Sequence, residues 1–232
     1  MSTGAILLCA GRGERLGLGV PKALAPLAGR PLFVHALETL ERSHVIECIV
    51  VVGPARSLRE ALGATGFEPE KVVAWAEGGR ERQHSVARGM AALPPECELV
   101  AIHDAARALL SVPLVSRVVA DARSHGAAIA ALPLEDTLKR ATLEVIVDTV
   151  PRAGLWRAQT PQVFRRDWLE AAHAAAVEAK SPPATDDAAM VEALGRRVHL
   201  TPGEVINFKI TTPEDLRLAE AALLGRPEHE RA

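Results

Sequence analysis

The sequence contains no tyrosine, and aromatic residues make up only 3% of its 232 positions. That is too few rings for a platform on which nucleic-acid bases could stack. Charge of either sign is equally unconcentrated: 27 Lys and Arg against 29 Asp and Glu leave a net −2, with the basic residues scattered along the chain. A broad face for a polyanion is excluded, so any anionic partner has to be small and gripped locally. The three cysteines, Cys9, Cys48 and Cys97, lack the paired spacing of zinc ligands. Cys9 and Cys48 lie in or beside apolar runs, which predicts buried, reduced thiols and a reducing compartment. No apolar run is long enough to span a bilayer, and no basic segment leading into an apolar stretch and a cleavage site opens the chain. The expectation is a cytoplasmic protein that binds neither nucleic acid nor membrane.

What is present is a core and a loop. Hydrophobic residues form 48% of the chain, enough for one domain over residues 1–232. Strand and helix patterns alternate, which predicts an α/β fold with a mostly parallel sheet and helices on both faces. Strands are expected at 4–10, 48–52, 72–76, 99–102, 127–132, 158–164 and 197–200, and helices at 31–42, 82–92, 113–124, 166–178, 187–194 and 213–224. Residues 137–150 break the alternation, carry charges and suggest an exposed hairpin or arm.

The first strand empties into Gly11-Arg-Gly-Glu-Arg15 and then Pro21-Lys22. Gly11 and Gly13 allow a tight turn with bare amides, and Arg12, Arg15 and Lys22 add positive charge, as a loop gripping phosphates requires. A Walker A loop does not fit, because five residues separate Gly11 from Gly17 and Leu18 follows. A dinucleotide fingerprint fits only in Gly11-x-Gly13: Leu16 holds the third glycine position, and the strand ending at Gly53 carries no ribose-binding acid. An ordinary strand-to-helix turn stays open for the glycines alone.

Ligands of parallel sheets lie beyond the carboxyl ends of the strands, so the residues following each strand matter most. Gly78-Gly79 precede Ser85, which offers a hydroxyl to a base or ribose, or else caps its helix. Asp104 follows the strand at 99–102 and suits a ribose hydroxyl, a hydrated magnesium ion or a capped turn. Asp136-Thr137 and Thr149 to Arg152 mark the two ends of the arm, and Thr185-Asp186 opens a helix. Lys209, between Phe208 and Ile210, is expected on a short strand with its side chain opposite theirs, facing either the crevice or solvent.

Taken together, Ala10-Gly11-x-Gly13-x-Arg15-Leu16, Pro21-Lys22, Gly78-Gly79-x-x-Arg82-Gln83-x-Ser85-Val86, His103-Asp104-Ala105-Ala106-Arg107, Asp136-Thr137-x-Lys139, Thr160-Pro161-Gln162, Thr185-Asp186 and Asn207-x-Lys209-x-Thr211-x-Pro213 run in order across the chain. In this pattern the sequence resembles the 2-C-methyl-D-erythritol 4-phosphate cytidylyltransferases of the non-mevalonate isoprenoid pathway. The resemblance implies a Rossmann-like nucleotidyltransferase fold with a β-arm around 136–156 and a homodimer whose active sites are shared through that arm. It implies a CTP cradle of Ala10, Gly11, Gly13, Gly79, Ser85, Asp104 and Ala105. Arg15 and Lys22 would stabilise the transition state, while Arg152 and Lys209 would position the phosphorylated polyol, helped by Arg107, Thr137 and Thr185. Mg2+ would be carried mainly by the CTP phosphates. The chain departs from the family at Pro151, Ala23 and Arg80, where Asp, Gln and an acid are usual.

The chemistry agrees with this pattern. A phosphate monoester is largely a dianion at pH 7 and needs no base to become a nucleophile. The lack of a His or Cys catalytic constellation is therefore expected, and clustered cations are what the reaction requires. A ribitol-5-phosphate cytidylyltransferase shares this logic and is the alternative. An inert nucleotide-binding module would be expected to have lost Lys22 or Lys209.

Overall fold

The computed structural model describes residues 1–11, 13, 16, 17, 19–179 and 182–225. In chain order the strands are β1 (Ser2–Leu8), β2 (Pro26–Leu27), β3 (Arg30–Pro31), β4 (Cys48–Val52), β5 (Val72–Ala76), β6 (Cys97–Asp104), β7 (Ala127–Pro133), β8 (Leu138–Thr142), β9 (Val145–Val150), β10 (Trp156–Arg165) and β11 (His199–Pro202). The helices are α1 (Leu32–Arg42), α2 (Ala55–Gly63), α3 (Arg82–Ala92), α4 (Val112–His125), α5 (Arg166–Glu178), α6 (Asp187–Ala193) and α7 (Pro213–Leu224).

β1 is apolar throughout its interior because both of its faces are covered. Ala5 and Leu7 point into one core, with Phe33 and Leu37 of α1, Leu58 of α2 and Val115 and Val118 of α4. Ile6 points into the other, with Val86 and Met90 of α3, Leu169 of α5 and Val191 of α6. The seven-stranded sheet runs β11-β7-β10-β6-β1-β4-β5. β4 and β6 flank β1 in parallel, β5 extends the sheet beyond β4, and β11 pairs parallel to β7. Only β10 runs against its neighbours, β6 and β7. The expectation of a mostly parallel sheet holds.

The chain builds outward from β1 to β4 and β5, then crosses back to β6 on the other side of β1. That reversal opens a crevice at the carboxyl ends of β1 and β6, where Leu8 lies opposite Asp104. The adjoining elements end cleanly for local reasons. α4 starts where the Ser111 hydroxyl accepts from Leu114 N (3.1 Å) and stops where Gly126 turns left-handed, at φ 85°.

Three expectations are corrected. The strand expected at 4–10 lies at Ser2–Leu8, because its pairing with β4 and β6 ends at Leu8, opposite Val52 and Asp104. The strand expected at 197–200 lies at His199–Pro202, because its partner β7 begins only after the Gly126 turn and pairing starts at His199 opposite Ala128. Residues 207–211 form no strand: Ile210 N donates to Ala106 O (2.8 Å), with no ladder following, and the segment is held by side chains. The arm is a hairpin of β8 and β9 with Arg140 opposite Asp148. Its turn places Leu143 and Glu144 at φ 47° and 65°.

Cys9, Cys48 and Cys97 are free, buried thiols. Cys48 and Cys97 meet at 3.3 Å between sulfurs, a proximity invisible in their spacing. Burial, followed by the Cys97 contact, pushes the Cys48 thiol up to about 12. Among the described residues no helix is long and apolar enough to cross a membrane.

Candidate active site

The loop after β1 closes on Lys22 through its backbone. Lys22 N donates to Gly11 O (3.1 Å), and Leu16 N donates to Gly13 O (2.8 Å). Leu16 is buried with Ala25, Leu27, Ile210 and Ala219, so the third position of the failed dinucleotide fingerprint serves as the loop's apolar anchor. Gly13 sits at φ +73°, and a Cβ there would stand 3.0 Å from Lys22 Cβ and 3.1 Å from Lys22 N. A side chain would drive the loop off Lys22.

The opposite wall is the start of α3. A Cβ on Gly79 would lie 2.3 Å from His84 Cβ, which leaves glycine as the residue that fits. Ser85 does not cap the helix. Glu81 holds the N-cap position, and the Ser85 hydroxyl instead accepts from Gly79 N (3.0 Å) and donates to Glu81 O (3.3 Å). Ser85 therefore fixes the glycine turn from below.

At the end of β6, the Thr160 hydroxyl accepts from Asp104 N (3.1 Å) and donates to His103 Nδ1 (3.0 Å). His103 is fully buried, and burial lowers it to about 4, so it stays neutral and donates from Nε2 to Arg107 O (3.2 Å). With its backbone thus fixed, Asp104 meets two cations. Lys209 Nζ donates to Oδ2 at 2.7 Å and Arg82 Nε to Oδ1 at 3.3 Å. Burial alone would raise this carboxyl, but Arg82 and then Lys209 outweigh it and hold it well below the usual carboxylate range.

These parts line one pocket of about 690 Å³. Its walls include Ala10, Gly11, Gly13, Lys22, Gly79, Ser85, Asp104, Ala105 and Lys209. Every expected nucleotide-binding residue is thus in one place, together with both lysines. The pocket continues past Ala10 and Gly11 into a cleft of about 750 Å³ bordered by Gly53, Pro54 and Glu77. Arg15 lies outside the described residues.

The other expected polyol contacts do not line this pocket. Thr137 and Arg152 are exposed at the base of the arm, where Arg152 donates to Glu135 O. Thr185 is exposed just ahead of α6, and it is Asp186, not Thr185, that caps this helix by accepting from Ala189 N (3.0 Å). Arg107 donates to Asn207 O (2.8 Å) and Ala158 O (3.2 Å), so its guanidinium clamps the segment that carries Lys209. Sequence reasoning assigned no part to Thr211 and Ala106, which line the pocket, or to Arg82, which it saw only as a motif position. The helical start at Arg82 was the available signal, because a first-turn guanidinium at a strand-end crevice faces the ligand.

Residues 3–225 match the IspD family model, described as 2-C-methyl-D-erythritol 4-phosphate cytidylyltransferase. The chain belongs to this family. A family member from Geobacillus kaustophilus is 42% identical over 97% of this chain and 99% of its own length. Another, from Streptomyces avermitilis, is 42% identical over 97% of this chain and 92% of its own. Among solved structures, the family enzyme of Thermus thermophilus superposes with a TM-score of 0.77 at 37% identity, covering 95% of this chain and 98% of that one. The 4-diphosphocytidyl-2C-methyl-D-erythritol synthase of Anaerococcus prevotii reaches 0.82 at 27% identity, covering 96% of each chain. None of these relatives bears out the ribitol alternative.

Proposed function

We infer that this family member transfers CMP from CTP to 2-C-methyl-D-erythritol 4-phosphate, releasing pyrophosphate, by in-line attack of the acceptor phosphate on the CTP α-phosphorus. The observation that carries this reading is the pocket wall shared by the Gly11–Gly13 loop, Lys22 and the Asp104–Lys209 pair. The acceptor is a dianion at neutral pH and attacks without a base. Its approach to a triphosphate is the repulsive step, and Lys22 and Lys209 supply the countercharge within a preorganised pocket. Ala10, Gly11, Gly13, Gly79, Ser85, Asp104 and Ala105 cradle the nucleotide, and Arg15 joins Lys22 at the phosphates.

Among the described residues no group of three His, Cys, Asp or Glu side chains could cage a metal. The donor set fits a magnesium ion that arrives on the nucleotide, with Asp104 reaching it through water. Bound there, the ion would neutralise part of the triphosphate charge.

The arm supports a homodimer of single-domain subunits. Leu143, Val145, Ile146 and Val147 are all exposed on the hairpin, an apolar load that a solvated hairpin does not need. Packed on a second copy, the arm would carry Thr137 and Arg152 toward the partner's acceptor phosphate, beside Lys209, whose segment Arg107 clamps. A cytoplasmic location accords with three cysteines that stand as free thiols.

Acceptor phosphate labelled with 18O tests the chemistry. All of the label is expected in the diphosphocytidyl product and none in pyrophosphate. Release of CMP or CDP, with the label in an acceptor phosphate chain that carries no cytidylyl group, would mean attack at the β- or γ-phosphorus.

A further inference from the structure

The N-terminus of α6 reaches the pocket through a single arginine. Arg82 lies between two carboxylates from distant parts of the chain, donating from Nε to Asp104 Oδ1 (3.3 Å) and from Nη1 to Asp187 Oδ2 (2.5 Å). Asp187 has 0% side-chain exposure, against 14% for Asp104 and 26% for Arg82. A carboxylate buried this completely is costly unless a cation holds it. His173 does not provide that cation. Its Nε2 stands 3.9 Å from Asp187 Oδ1, and burial, then the charges of Arg82 and His84, lower it to about 4. Burial pushes the Asp187 carboxyl up further than Arg82 pulls it back, while the same contact, with Asp104, outweighs burial and raises Arg82. Gln162 fixes the backbone beneath the pair by accepting from Asp187 N (3.2 Å) and Ala188 N (3.3 Å).

We propose that Asp187 is a positioning residue for the transfer: its carboxylate anchors Arg82 so that Nε faces Asp104 and the Asp104–Lys209 pair keeps its place in the pocket. The proposal rests on the cytidylyl-transfer reading above. Arg82 borders the pocket. An unanchored guanidinium there is drawn toward the triphosphate and leaves Asp104, so the nucleotide wall loses its shape. Asp187 touches no substrate and acts through Arg82.

The test compares Asp187→Asn, Arg82→Lys and the double variant with the wild-type enzyme. Asparagine keeps an oxygen that accepts from Arg82 but removes the charge. Lysine keeps the charge but presents one nitrogen where two carboxylates need a fork. Each single variant is expected to lose about tenfold to a hundredfold in kcat per folded molecule and to bind Mg-CTP about tenfold more weakly by calorimetry. Within the Arg82→Lys background, Asp187→Asn is expected to change kcat by less than about twofold, as for residues acting as a unit. Wild-type kcat and CTP affinity in Asp187→Asn would overturn the proposal, as would losses that multiply in the double variant. If Asp187→Asn fails to fold, Arg82→Lys with unchanged kcat and CTP affinity overturns it equally. The calorimetry separates the two claims: a wild type that binds CTP but transfers to no polyol phosphate contradicts the acceptor assignment, while CTP binding in the variants still decides the role of Asp187.

Discussion

Lys22 enters the site through its backbone as much as through its charge. Its amide closes the Gly11 turn, and its Cβ occupies the space that Gly13 leaves open. The pairing of glycines with a nearby lysine was legible because the loop is local in sequence. In the proposed reaction Lys22 would stabilise the charge developing on the leaving pyrophosphate, so Lys22→Ala is expected to lower kcat about 100-fold or more while KM for CTP changes less than about tenfold. Steady-state kinetics with CTP varied checks this, and an unchanged kcat removes Lys22 from the chemistry. The Asp187–Arg82 link lay beyond sequence reasoning because the partners are 105 residues apart and meet only once the sheet is assembled.

Two other residues set an acid limit on the fold. His103 and His173 are each lowered from 6.5 to about 4, mainly by burial. Between those values the unfolded chain binds two protons that the folded one does not. Stability therefore rises with pH through this window and is lost as pH falls from 6.5 toward 4. Denaturant unfolding at a series of pH values is expected to show stability rising across this window, less steeply by about one proton in His173→Gln. A flat profile would show that these rings titrate as in the unfolded chain.

Among the elements, some were legible to the residue. Residues 82–92 and 72–76 were expected as helix and strand, and α3 and β5 occupy those spans. The segment around Lys209 was not legible as it stands, because alternation of Phe208, Lys209 and Ile210 mimics a strand while the structure holds the segment by other means. Asn207 Nδ2 donates to Thr160 O (2.8 Å), Arg107 clamps Asn207 O, and α7 begins immediately afterwards. At that helix start the Asp215 carboxylate accepts from Thr211 N (2.7 Å) and Thr212 N (2.9 Å), and Thr212 Oγ1 accepts from Asp215 N (3.2 Å). Thr212→Ala is expected to cost about 1 kcal/mol in denaturant unfolding, the usual worth of such a cap. No loss would mean that the cap does not help to seat the Lys209 segment.

At the scale of the whole molecule, the reversal of strand order beside β1 determines where the chemistry can happen. It brings the β1 loop and the β6 end to one crevice, and α3 and α6 supply Arg82 and Asp187 from the same face of the sheet. Alternating elements made the parallel sheet legible. The antiparallel course of β10 was not, since nothing in an apolar run fixes its direction. Leu143, Val145, Ile146 and Val147 stay exposed on the arm of one subunit, which is why its proposed role depends on a second copy. The most direct test of the account is pyrophosphate release by the pure protein with Mg-CTP, offered methylerythritol 4-phosphate and ribitol 5-phosphate in parallel. Release with methylerythritol 4-phosphate alone is the predicted result. Release with ribitol 5-phosphate instead, or with neither, would contradict it.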